Sequence, residues 1–421
     1  MKKIFALFSL ALTITACVND DQYDWDSDFA DQTSTDTINI DIKYNGTSAT
    51  VTGDDNGYVS MSGANVIVKS STNKFLLLTL TGSTDNGSLL IYSWKKLGVI
   101  LNNVSITNPQ GPAINNQCSK SFYVMTASGT TNTLTDGTVY ADAPLNDKGD
   151  TIDQKATLFS EGQIYFQGEG TLTVNGHAKN GIASDDYVFV QSGTVNVNVA
   201  ATGSNGVKVN DGFTITGGEL NISVAANGAR GIKNDSFTTI SGGTTTISTS
   251  GDCKIENTEG IVDTTSCAGI KSDSLFTMTA GTLSITSTGD GGKGINSSTD
   301  FEQQGGKLYV ATTGTKALSK PHGIKADGNI TFTGGEAYVA SARKAFNCDG
   351  SLLFNGGTIM GVGKKESIPS DNSTQAFKSY DEDEEIDAIG GQTLTVDGIS
   401  YTIPTNYSCP SAKVLVSSSN L

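Results

Sequence analysis

The sequence predicts an all-β protein, a parallel β-helix with about 25 residues per coil and a C-terminal β cap. Three observations lead to this fold. The chain of 421 residues has 49 glycines but few good helix formers, and it is rich in Thr, Ser, Asn, Val and Ile. Two short glycine-containing phrases recur in step along the chain, and segments in which every second residue is apolar lie between them. A repeated β unit of this length is typical of a β-solenoid.

Composition excludes several classes of function. The formal net charge is -16, and a polyanion such as nucleic acid needs clustered lysine and arginine on its partner. We therefore expect no nucleic acid partner. His177 and His322 are the two histidines of the sequence, which excludes a metal site built from several histidines. Catalysis, if there is any, would use lysine or carboxylate side chains.

The first 17 residues have the organisation of a signal peptide. Two lysines near the start precede an apolar run over residues 4–15, which is too short to cross a bilayer stably. Residues 14–17 read Ile-Thr-Ala-Cys and resemble a bacterial lipobox, the motif in which cleavage accompanies lipidation of the cysteine thiol. We expect residues 1–17 to be a lipoprotein signal with Cys17 as the lipidation site. The alternative is an ordinary secretory signal in which Cys17 is incidental.

Residues 18–45 are predicted to be an acidic flexible tether. Seven aspartates lie between residues 18 and 36, and their mutual repulsion keeps such a segment extended. Acidic residues directly after the lipidated cysteine also resemble the surface-export signal of outer-membrane lipoproteins, while the plain alternative is a solvated tether. We expect an outer-membrane lipoprotein of the cell envelope that is exposed at the surface and attached through its lipid.

The repeat is carried by a phrase of the form Gly-Ile-Lys-x-Asp and by a pair of glycines. The phrase begins at Gly181, Gly206, Gly231, Gly269, Gly294 and Gly323, in steps of 25, 25, 38, 25 and 29 residues. The glycine pair keeps the same period at Gly217–Gly218, Gly242–Gly243, Gly305–Gly306, Gly334–Gly335 and Gly356–Gly357. The glycine pairs supply corners with positive φ. We therefore assign residues 46–363 to the β-helix and residues 364–421 to an acidic loop and the C-terminal cap, which covers the open end of the solenoid.

Stacked coils turn sequence offsets into columns of side chains. The second residue of the phrase forms an inward column of Ile182, Val207, Ile232, Ile270, Ile295 and Ile324. The third and fifth residues then point outward. The outward columns include Lys208, Lys233, Lys271 and Lys325 in one and Asp185, Asp235, Asp273 and Asp327 in the other. Lysine and aspartate therefore share one face.

Two interpretations of this face remain open. In one, alternating charges compensate each other, and each exposed pair contributes at most about 1 kcal/mol. In the other, Asp185, Asp186, Asp235 and Asp273 bind calcium, because Ca²⁺ takes hard oxygen ligands, and Lys208, Lys233, Lys271 and Lys325 bind uronic carboxylates. Positive charge along the same edge would come from Arg230, Lys293, His322 and Lys344, which precede the phrase in their coils.

Tyr309 and Tyr338 are neighbours in another outward column, which follows the glycine pairs. Exposed rings on a rigid sheet can pack against the apolar faces of sugars, so the two residues are candidates for a carbohydrate platform. Aromatic ladders also simply stabilise β-helices. Cys253 and Cys267 bracket the insertion in the 38-residue step, and an exported protein meets oxidising conditions, so we expect a disulfide between them.

Several phrases together resemble a known family. They are Asn132–Gly137 (Asn-Thr-Leu-Thr-Asp-Gly), Ala156–Ser160, Gly170–Gly176, Lys179–Ile182 and the repeated Gly-Ile-Lys-x-Asp. They are similar to the cellulose- and acidic-sugar-binding β-helix proteins, over residues 57–363. The resemblance implies a right-handed, single-stranded parallel β-helix related in fold to pectate lyases, with bound calcium and noncatalytic binding of polysaccharide. The 38-residue step and the coil with Asn296 and Ser298 depart from the repeat and interrupt any continuous site.

The leading hypothesis is a monomeric carbohydrate-binding surface lipoprotein that binds acidic or cellulosic polysaccharide with calcium. A second hypothesis is a calcium-dependent polysaccharide lyase in which Lys233 or Lys271 abstracts the proton next to a uronate carboxyl group. Against it, the lysine recurs in most coils, whereas a catalytic base should be an exception. A third hypothesis is a structural surface adhesin without a glycan site.

Overall fold

A computed structural model describes residues 37–258, 260–381 and 386–421. The chain divides into Met1–Thr37 and Ile38–Leu421, and the strands lie in the second unit, apart from Thr37 at the start of the first strand. The predicted signal peptide, Cys17 and residues 18–36 of the predicted tether lie outside the described residues. Within the described ranges the secondary structure consists of strands, and no helix there is long and apolar enough to cross a membrane.

The described residues form 36 strands. The first twelve are β1 (Thr37–Asn45), β2 (Ser48–Thr52), β3 (Val59–Ser62), β4 (Ala64–Ser70), β5 (Phe75–Thr84), β6 (Gly87–Ser93), β7 (Leu97–Asn108), β8 (Ile114–Asn116), β9 (Phe122–Thr126), β10 (Thr131–Asp136), β11 (Ala156–Ser160) and β12 (Ile164–Gly168). The next twelve are β13 (Thr171–Gly176), β14 (Asn180–Ser184), β15 (Tyr187–Val190), β16 (Thr194–Val199), β17 (Val207–Val209), β18 (Gly212–Ile215), β19 (Glu219–Val224), β20 (Arg230–Asn234), β21 (Phe237–Thr249), β22 (Lys254–Thr258), β23 (Ile261–Thr265) and β24 (Ala268–Ser272). The last twelve are β25 (Phe276–Ser287), β26 (Lys293–Ser297), β27 (Phe301–Gln303), β28 (Lys307–Thr312), β29 (His322–Ala326), β30 (Ile330–Ser341), β31 (Lys344–Cys348), β32 (Leu352–Gly363), β33 (Phe377–Tyr380), β34 (Thr393–Val396), β35 (Ile399–Thr402) and β36 (Lys413–Ser417).

The strands stack into a parallel β-helix of about 12 turns with roughly 25 residues per turn. One wall is a 12-stranded sheet in the order β3-β4-β6-β8-β11-β14-β17-β20-β24-β26-β29-β31, and a 20-stranded sheet forms the remaining walls. Pairing from β4 to β31 in the first sheet is parallel, because each coil returns in the same direction. The predicted fold class is confirmed.

The inward column has the predicted register. Ile182 pairs with Val207, Val207 with Ile232, and the column continues through Ile270, Ile295 and Ile324. All six side chains are at most 1% exposed. The apolar column therefore forms one wall of the core that runs through the solenoid.

The corners are formed by the second glycine of each pair. Gly218 has a φ of +71° and Gly243 a φ of +65°, a left-handed conformation that L side chains rarely adopt. The corners also stack closely, since a Cβ atom on Gly218 would lie 2.7 Å from the carbonyl oxygen of Gly193. The pairs are therefore glycine for two reasons, the backbone dihedral and the contact with the coil below.

The N-terminal end of the core is covered by an antiparallel hairpin. β1 and β2 pair antiparallel, and Ile40, Ile42 and Tyr44 of β1 are buried in the core. This corrects the predicted tether, which included residues 37–45. The alternation of apolar residues in β1 lets the segment bury one face, and this outweighs the acidic composition just before it.

The C-terminal cap is confirmed. β36 pairs antiparallel with both β32 and β33. The hairpin β34–β35 contributes Tyr401 to a second apolar cluster, in which it is buried with Met360 of the last coil and Val416 of β36. The cap therefore both covers the final coil and ends the parallel stack.

The 38-residue step holds the antiparallel hairpin β22–β23. Cys253 and Cys267 flank this hairpin, and their sulfur atoms pack against two adjacent glycines. A Cβ atom on Gly291 would lie 3.1 Å from Sγ of Cys253, and one on Gly292 would lie 3.1 Å from Sγ of Cys267. Both cysteines are free thiols in the structure, so the predicted disulfide is not formed. Burial raises the pKa of the Cys267 thiol to about 11 and the neighbouring Cys253 adds to this, which keeps the thiol protonated at neutral pH.

Candidate functional site

The lysine and aspartate columns form a chain of ion pairs along the 12-stranded sheet. Asp235 accepts hydrogen bonds from both Lys208 and Lys233. The next aspartate, Asp273, lies 3.2 Å from Nζ of Lys233 and 2.6 Å from Nζ of Lys271. Each of these aspartates is thus shared by the lysines of two coils.

The pKa values of the two aspartates reflect this pairing. Burial acts to raise the pKa of Asp235, but its contacts with Lys208 and Lys233 outweigh burial and hold the pKa below its ordinary value. The same balance lowers the pKa of Asp273, through Lys271 and then Lys233. Asp235 and Asp273 were predicted metal ligands, and the structure instead engages them with lysine. It likewise pairs Lys233 and Lys271, the candidate lyase bases, with carboxylates.

Lys325 continues the column with an ion pair to Asp327. Between them lies the departing coil, in which Asn296 pairs in register with Lys271 on one side and Lys325 on the other. Lys271 donates a hydrogen bond to Ser298 of that coil. The predicted interruption of the ladder is therefore present at Asn296. At the 38-residue step the prediction is wrong, because Lys233 contacts Asp273 across it and the coils stay in register.

A different arrangement surrounds Asp185. Among the described residues, Asp153, Glu161 and Asp185 are the group of three acidic side chains that could share one cation, with carboxylate oxygens within 4.8 Å of one another. We call this group the carboxylate cluster. Glu161 follows β11 and Asp185 follows β14, which pair in parallel, while Asp153 belongs to the irregular stretch before β11. The predicted ligand Asp186 lies outside the cluster. Its pKa is raised, mainly by burial and further by repulsion from the charge of Asp211.

One lysine partly neutralises the carboxylate cluster. Nζ of Lys155 lies 2.7 Å from Oδ2 of Asp153 and 2.5 Å from Oδ2 of Asp185. Burial raises the pKa of Glu161, and repulsion from Asp185 and Asp153 adds to the shift, while Lys155 opposes it. Three carboxylates and one ammonium group leave two negative charges when all are ionised. The cluster is therefore short of positive charge.

Lys155 also lines a cleft, which we call the lysine cleft. It has a volume of about 370 Å³ and is lined by Lys155, Ala178, Lys179, Asn180, Gly203 and Ser204. Nζ of Lys179 donates a hydrogen bond to the carbonyl oxygen of Gln154 at 2.6 Å and lies 5.1 Å from the ring centre of Tyr140. Two ammonium groups, an amide and a hydroxyl thus meet at one concave surface beside the carboxylate cluster.

A second cleft of about 290 Å³ lies around the neighbouring turn and is lined by Asn175, Gly176, His177, Asn198, Val199, Ala200 and Ser223. Nδ1 of His177 lies 3.2 Å from Oδ1 of Asp136 and 3.1 Å from its carbonyl oxygen. Two acceptors at Nδ1 require the proton there, so Nε2 of the neutral imidazole is an acceptor. Asp136 is buried and also accepts a hydrogen bond from Tyr140 at 2.7 Å, so the histidine ring is firmly oriented.

The two predicted platform tyrosines are neighbours, as expected, but their rings stack on each other. Tyr309 and Tyr338 have ring centres 5.6 Å apart at an interplanar angle of 12°, and Tyr401 of the cap stacks on Tyr338 at 5.3 Å. The cap supplies the third ring of this stack, so Tyr338 makes ring contacts within the protein on account of both neighbours. The sugar platform stays a prediction.

A further aromatic ladder, which the sequence reasoning missed, follows the 20-stranded sheet. Tyr165 stacks on Tyr123 at 5.0 Å and on Phe189 at 4.7 Å between ring centres. The signal was available, because the three residues are one coil apart in register. Like the tyrosine stack at the other end, this ladder uses ring faces for contacts within the protein.

The sequence reasoning also missed Asp153, Lys155 and Glu161. Glu161 could have been found by extending the aspartate column one coil upstream, because Ser160 pairs with Ser184 and places Glu161 beside Asp185. Asp153 and Lys155 gave no such signal, since they come from the stretch between β10 and β11, which follows no repeat. Of the predicted metal ligands, only Asp185 lies in the cluster.

Comparison with known proteins places this site in a family context. A family model described as carbohydrate-binding domain-containing protein matches residues 62–253 and 269–367, which is more than half of the chain. The chain belongs to this family. The matched region of the carbohydrate-binding domain family includes the carboxylate cluster, both clefts and the ion-pair ladder. The resemblance seen in the sequence is confirmed at this level.

A relative in Acetivibrio thermocellus (strain ATCC 27405) is also described as a carbohydrate-binding domain-containing protein. It is 27% identical over 124 residues, which are 29% of this chain and 42% of the relative. The match therefore spans less than half of that relative's length. The structure of the polysaccharide lyase-like protein from C. thermocellum, a gadolinium derivative, is similar with a TM-score of 0.51, at 22% identity over 63% of this chain and 97% of that chain. This likeness concerns the fold.

Proposed function

We propose that the protein is a carbohydrate-binding surface lipoprotein that holds acidic polysaccharide in the lysine cleft, with calcium bound at the carboxylate cluster. The observation that carries the proposal is Lys155, which contacts two carboxylates of the cluster and lines the cleft. A cation site and a cationic cleft thus share one side chain. Membership of the carbohydrate-binding domain family supports the class of ligand.

The cleft has suitable groups for a uronate unit. The ammonium groups of Lys155 and Lys179 can pair with the carboxylate, and a lysine keeps further donors after its hydrogen bond to a carbonyl oxygen. The hydroxyl of Ser204 and the amide of Asn180 suit sugar hydroxyls. Asn180 is held in place by hydrogen bonds with Lys155 and Asn205, so its orientation is fixed before a ligand arrives.

The carboxylate cluster fits calcium by the chemistry of its donors. Asp153, Glu161 and Asp185 would hold the ion through hard oxygen ligands, and the two negative charges left by Lys155 match one divalent cation. The bound ion would supply positive charge toward the carboxylate of a uronate. Lys155 would keep its place at the edge of the cleft and orient the same carboxylate.

The cellular place of the protein is part of the proposal. Cys17 would carry the lipid, residues 18–36 would form the acidic tether, and the β-helix would stand at the outer surface of the outer membrane as a monomer. The lipobox resemblance and the short apolar run before Cys17 support this assignment. Metabolic labelling of the expressed chain with palmitate, compared with Cys17→Ala, tests it directly.

Affinity electrophoresis tests the binding proposal. The purified protein is run through gels that contain polygalacturonate, a cellulose derivative or a neutral glycan, each with calcium or with a chelator. We expect calcium-dependent retardation on polygalacturonate. The double variant Glu161→Gln/Asp185→Asn should lose it, because these changes remove two charges of the cluster. The control is Asp273→Asn, an aspartate of the same column that lies in the ion-pair ladder.

The same gels separate the remaining hypotheses. Retardation that persists unchanged in the double variant would reject the carboxylate cluster as the calcium site. New unsaturated sugar ends would identify a lyase, and Lys233→Met and Lys271→Met would then test the two candidate bases. Absence of retardation on every glycan would favour the adhesin.

A further inference from the structure

A second group of cations lies in the later coils, at the start of successive strands of the 12-stranded sheet. Lys293 pairs in register with His322, and His322 with Lys344, so neighbouring members are one strand spacing of about 4.8 Å apart. Arg343 joins them, with Nη1 lying 3.4 Å from Nε2 of His322. We call Lys293, His322, Arg343 and Lys344 the cationic corner.

Two members of the cationic corner are buried. Lys293 is 8% exposed and His322 is 3% exposed. Nζ of Lys293 donates a hydrogen bond to Oγ of Ser319 at 2.7 Å, and that hydroxyl donates to the carbonyl oxygen of Gly291 at 2.8 Å. Nδ1 of His322 is buried and, within the described residues, has no hydrogen-bond partner. A buried polar atom without a partner is costly and points to a group that is not part of the chain.

Several cations act on the two buried members of the corner. Burial lowers the pKa of Lys293 to about 8, and Lys325 and Arg230 contribute to the shift. The pKa of His322 is lowered to about 3. Burial is the largest cause, and the positive charges of Arg343, Lys293 and Lys344 lower it further. No carboxylate of the described ranges forms an ion pair with any member of the corner. This is unusual in a chain with a net charge of -16.

The neighbouring thiol of Cys267 does not supply the missing negative charge. Cys267 and Cys253 lie close enough to Lys293 to affect its pKa, but the thiol of Cys267 has a pKa of about 11 and stays neutral. A metal cation would be repelled, and a neutral hydroxyl would leave the charge uncompensated. An oxyanion, by contrast, accepts several hydrogen bonds and offsets the cost of burying cations.

We propose that the cationic corner binds an oxyanion group, a carboxylate or a sulfate, held by Lys293, His322, Arg343 and Lys344. The anion accepts hydrogen bonds from the ammonium group of Lys293 and from Nδ1 of His322, while Arg343 and Lys344 close the site from their half-buried positions. The oxyanion can be a free inorganic ion or a charged group of a polysaccharide. The site is separate from the lysine cleft and does not depend on it.

The two histidines of the sequence give a clean readout. The imidazole nitrogens are followed by NMR in the full chain with ¹⁵N-labelled histidine during separate titrations with sodium sulfate and galacturonate at constant ionic strength. We expect a saturable shift of the His322 signals. His177 serves as the internal reference in the sulfate titration, because galacturonate can also bind in the lysine cleft, which Ala178 and Lys179 line directly beside His177. Lys293→Met should weaken sulfate binding at least tenfold. The control Lys307→Met removes an exposed lysine that is paired with Glu336 and should leave binding unchanged.

Thermal unfolding provides a second measurement of sulfate binding. Sulfate should raise the Tm of the wild-type protein, because a ligand bound to the folded state stabilises it, and should raise the Tm of Lys293→Met much less. Should Lys293→Met fail to fold, Arg343→Met serves in both measurements, since this residue is less buried. Saturation by sulfate alone identifies a free inorganic ion, and tighter binding of galacturonate identifies a sugar carboxylate.

The proposal is overturned by the absence of a saturable shift with either probe, by equal shifts of both histidines in the sulfate titration, or by unchanged binding in Lys293→Met. The double variant Glu161→Gln/Asp185→Asn should retain the His322 shift. Its retention together with a loss of polysaccharide binding would show that the two sites act separately.

Discussion

Lys155 and Asp185 are 30 residues apart in the chain, and their side chains meet at 2.5 Å across adjacent coils. The contact ties the carboxylate cluster to the lysine cleft, since the same ammonium group belongs to both. Farther along the same face, lysines contact aspartates in a regular ladder. At Lys155 the regularity ends, because Glu161 and Asp153 add negative charge that one lysine does not balance.

The raised pKa of Glu161 predicts how calcium binding depends on pH. Calcium needs the ionised carboxylate, and the pKa of Glu161 lies above the ordinary 4.5 because of burial and then repulsion from Asp185 and Asp153. Calcium affinity, measured by isothermal titration calorimetry, should therefore begin to fall at a higher pH than an ordinary glutamate would cause. Glu161→Gln should lower the affinity at neutral pH, whereas Glu219→Gln on β19 should not.

The same shift affects the protein without calcium. A carboxyl group whose pKa is raised by folding holds its proton more tightly in the folded state, so stability falls as the pH rises from the ordinary value through the raised one. Glu161→Gln should remove this contribution in urea unfolding across that interval. If the free energy of unfolding depended on pH identically in the wild-type protein and in Glu161→Gln, the raised pKa of Glu161 would not be the cause.

Removal of Lys233 should cost little. Lys233→Met takes away the cation between Asp235 and Asp273, and both pairs are partly exposed, so we expect a loss of at most about 1 kcal/mol. The lowered pKa values of these aspartates stabilise the fold above the ordinary carboxylate pKa of about 3.9, and this stabilisation is lost as the pH falls through the lowered values. Urea unfolding should thus show a difference at about pH 7 that shrinks in acid. A loss of several kcal/mol would reject the ladder of weak surface pairs.

Tyr338 should contribute to stability rather than to sugar binding. Tyr338→Ala removes the ring between Tyr309 and Tyr401 and should lower the free energy of unfolding by about 2 kcal/mol. Tyr338→Phe keeps the stack and should be nearly neutral. Polysaccharide retention in the affinity gel should be the same for both variants, and a selective loss of retention in Tyr338→Ala would support the platform hypothesis.

The stacked corners make a further prediction. Gly218→Ala meets both an unfavourable φ of +71° and the carbonyl oxygen of Gly193 at 2.7 Å, and we expect a loss of about 3 kcal/mol in denaturant unfolding. Gly46 has nearly the same φ, +70°, but a Cβ atom there would have nothing within 4 Å. Gly46→Ala should therefore cost only about 1 kcal/mol. Equal losses in the two variants would show that the contact between corners is unimportant.

The repeating part of the fold was predictable from the sequence because each coil must bury the same apolar positions and turn at the same glycines. The inward isoleucine column, the glycine corners and the lysine and aspartate columns all follow from a period of about 25 residues, and alternation within strands decides which side chain is buried. Ala183 is the exception in the lysine column, since it is buried with Ala156 and Phe159.

The contacts that could not be predicted from the sequence are made by segments that lie outside the repeat. Asp153 and Lys155 reach the site from an irregular segment, and Tyr401 reaches Tyr338 from the cap, so no column predicts either contact. The carbonyl and carboxylate that orient His177 belong to Asp136, 41 residues upstream. Such contacts depend on where an irregular segment folds back, and only the tertiary structure gives that.

The antiparallel strand β36 has a consequence beyond closing the core. A stack of parallel strands could in principle go on growing, with one molecule adding to the end of the next as in an amyloid fibril. At the C-terminal end the edge of the last coil, β32, is already paired with β36, which runs against the direction of the coils, and β33 pairs with the other edge of β36. At the N-terminal end the antiparallel hairpin β1–β2 takes the corresponding place. Copies of this protein at high concentration should therefore remain separate particles and not fuse into fibres.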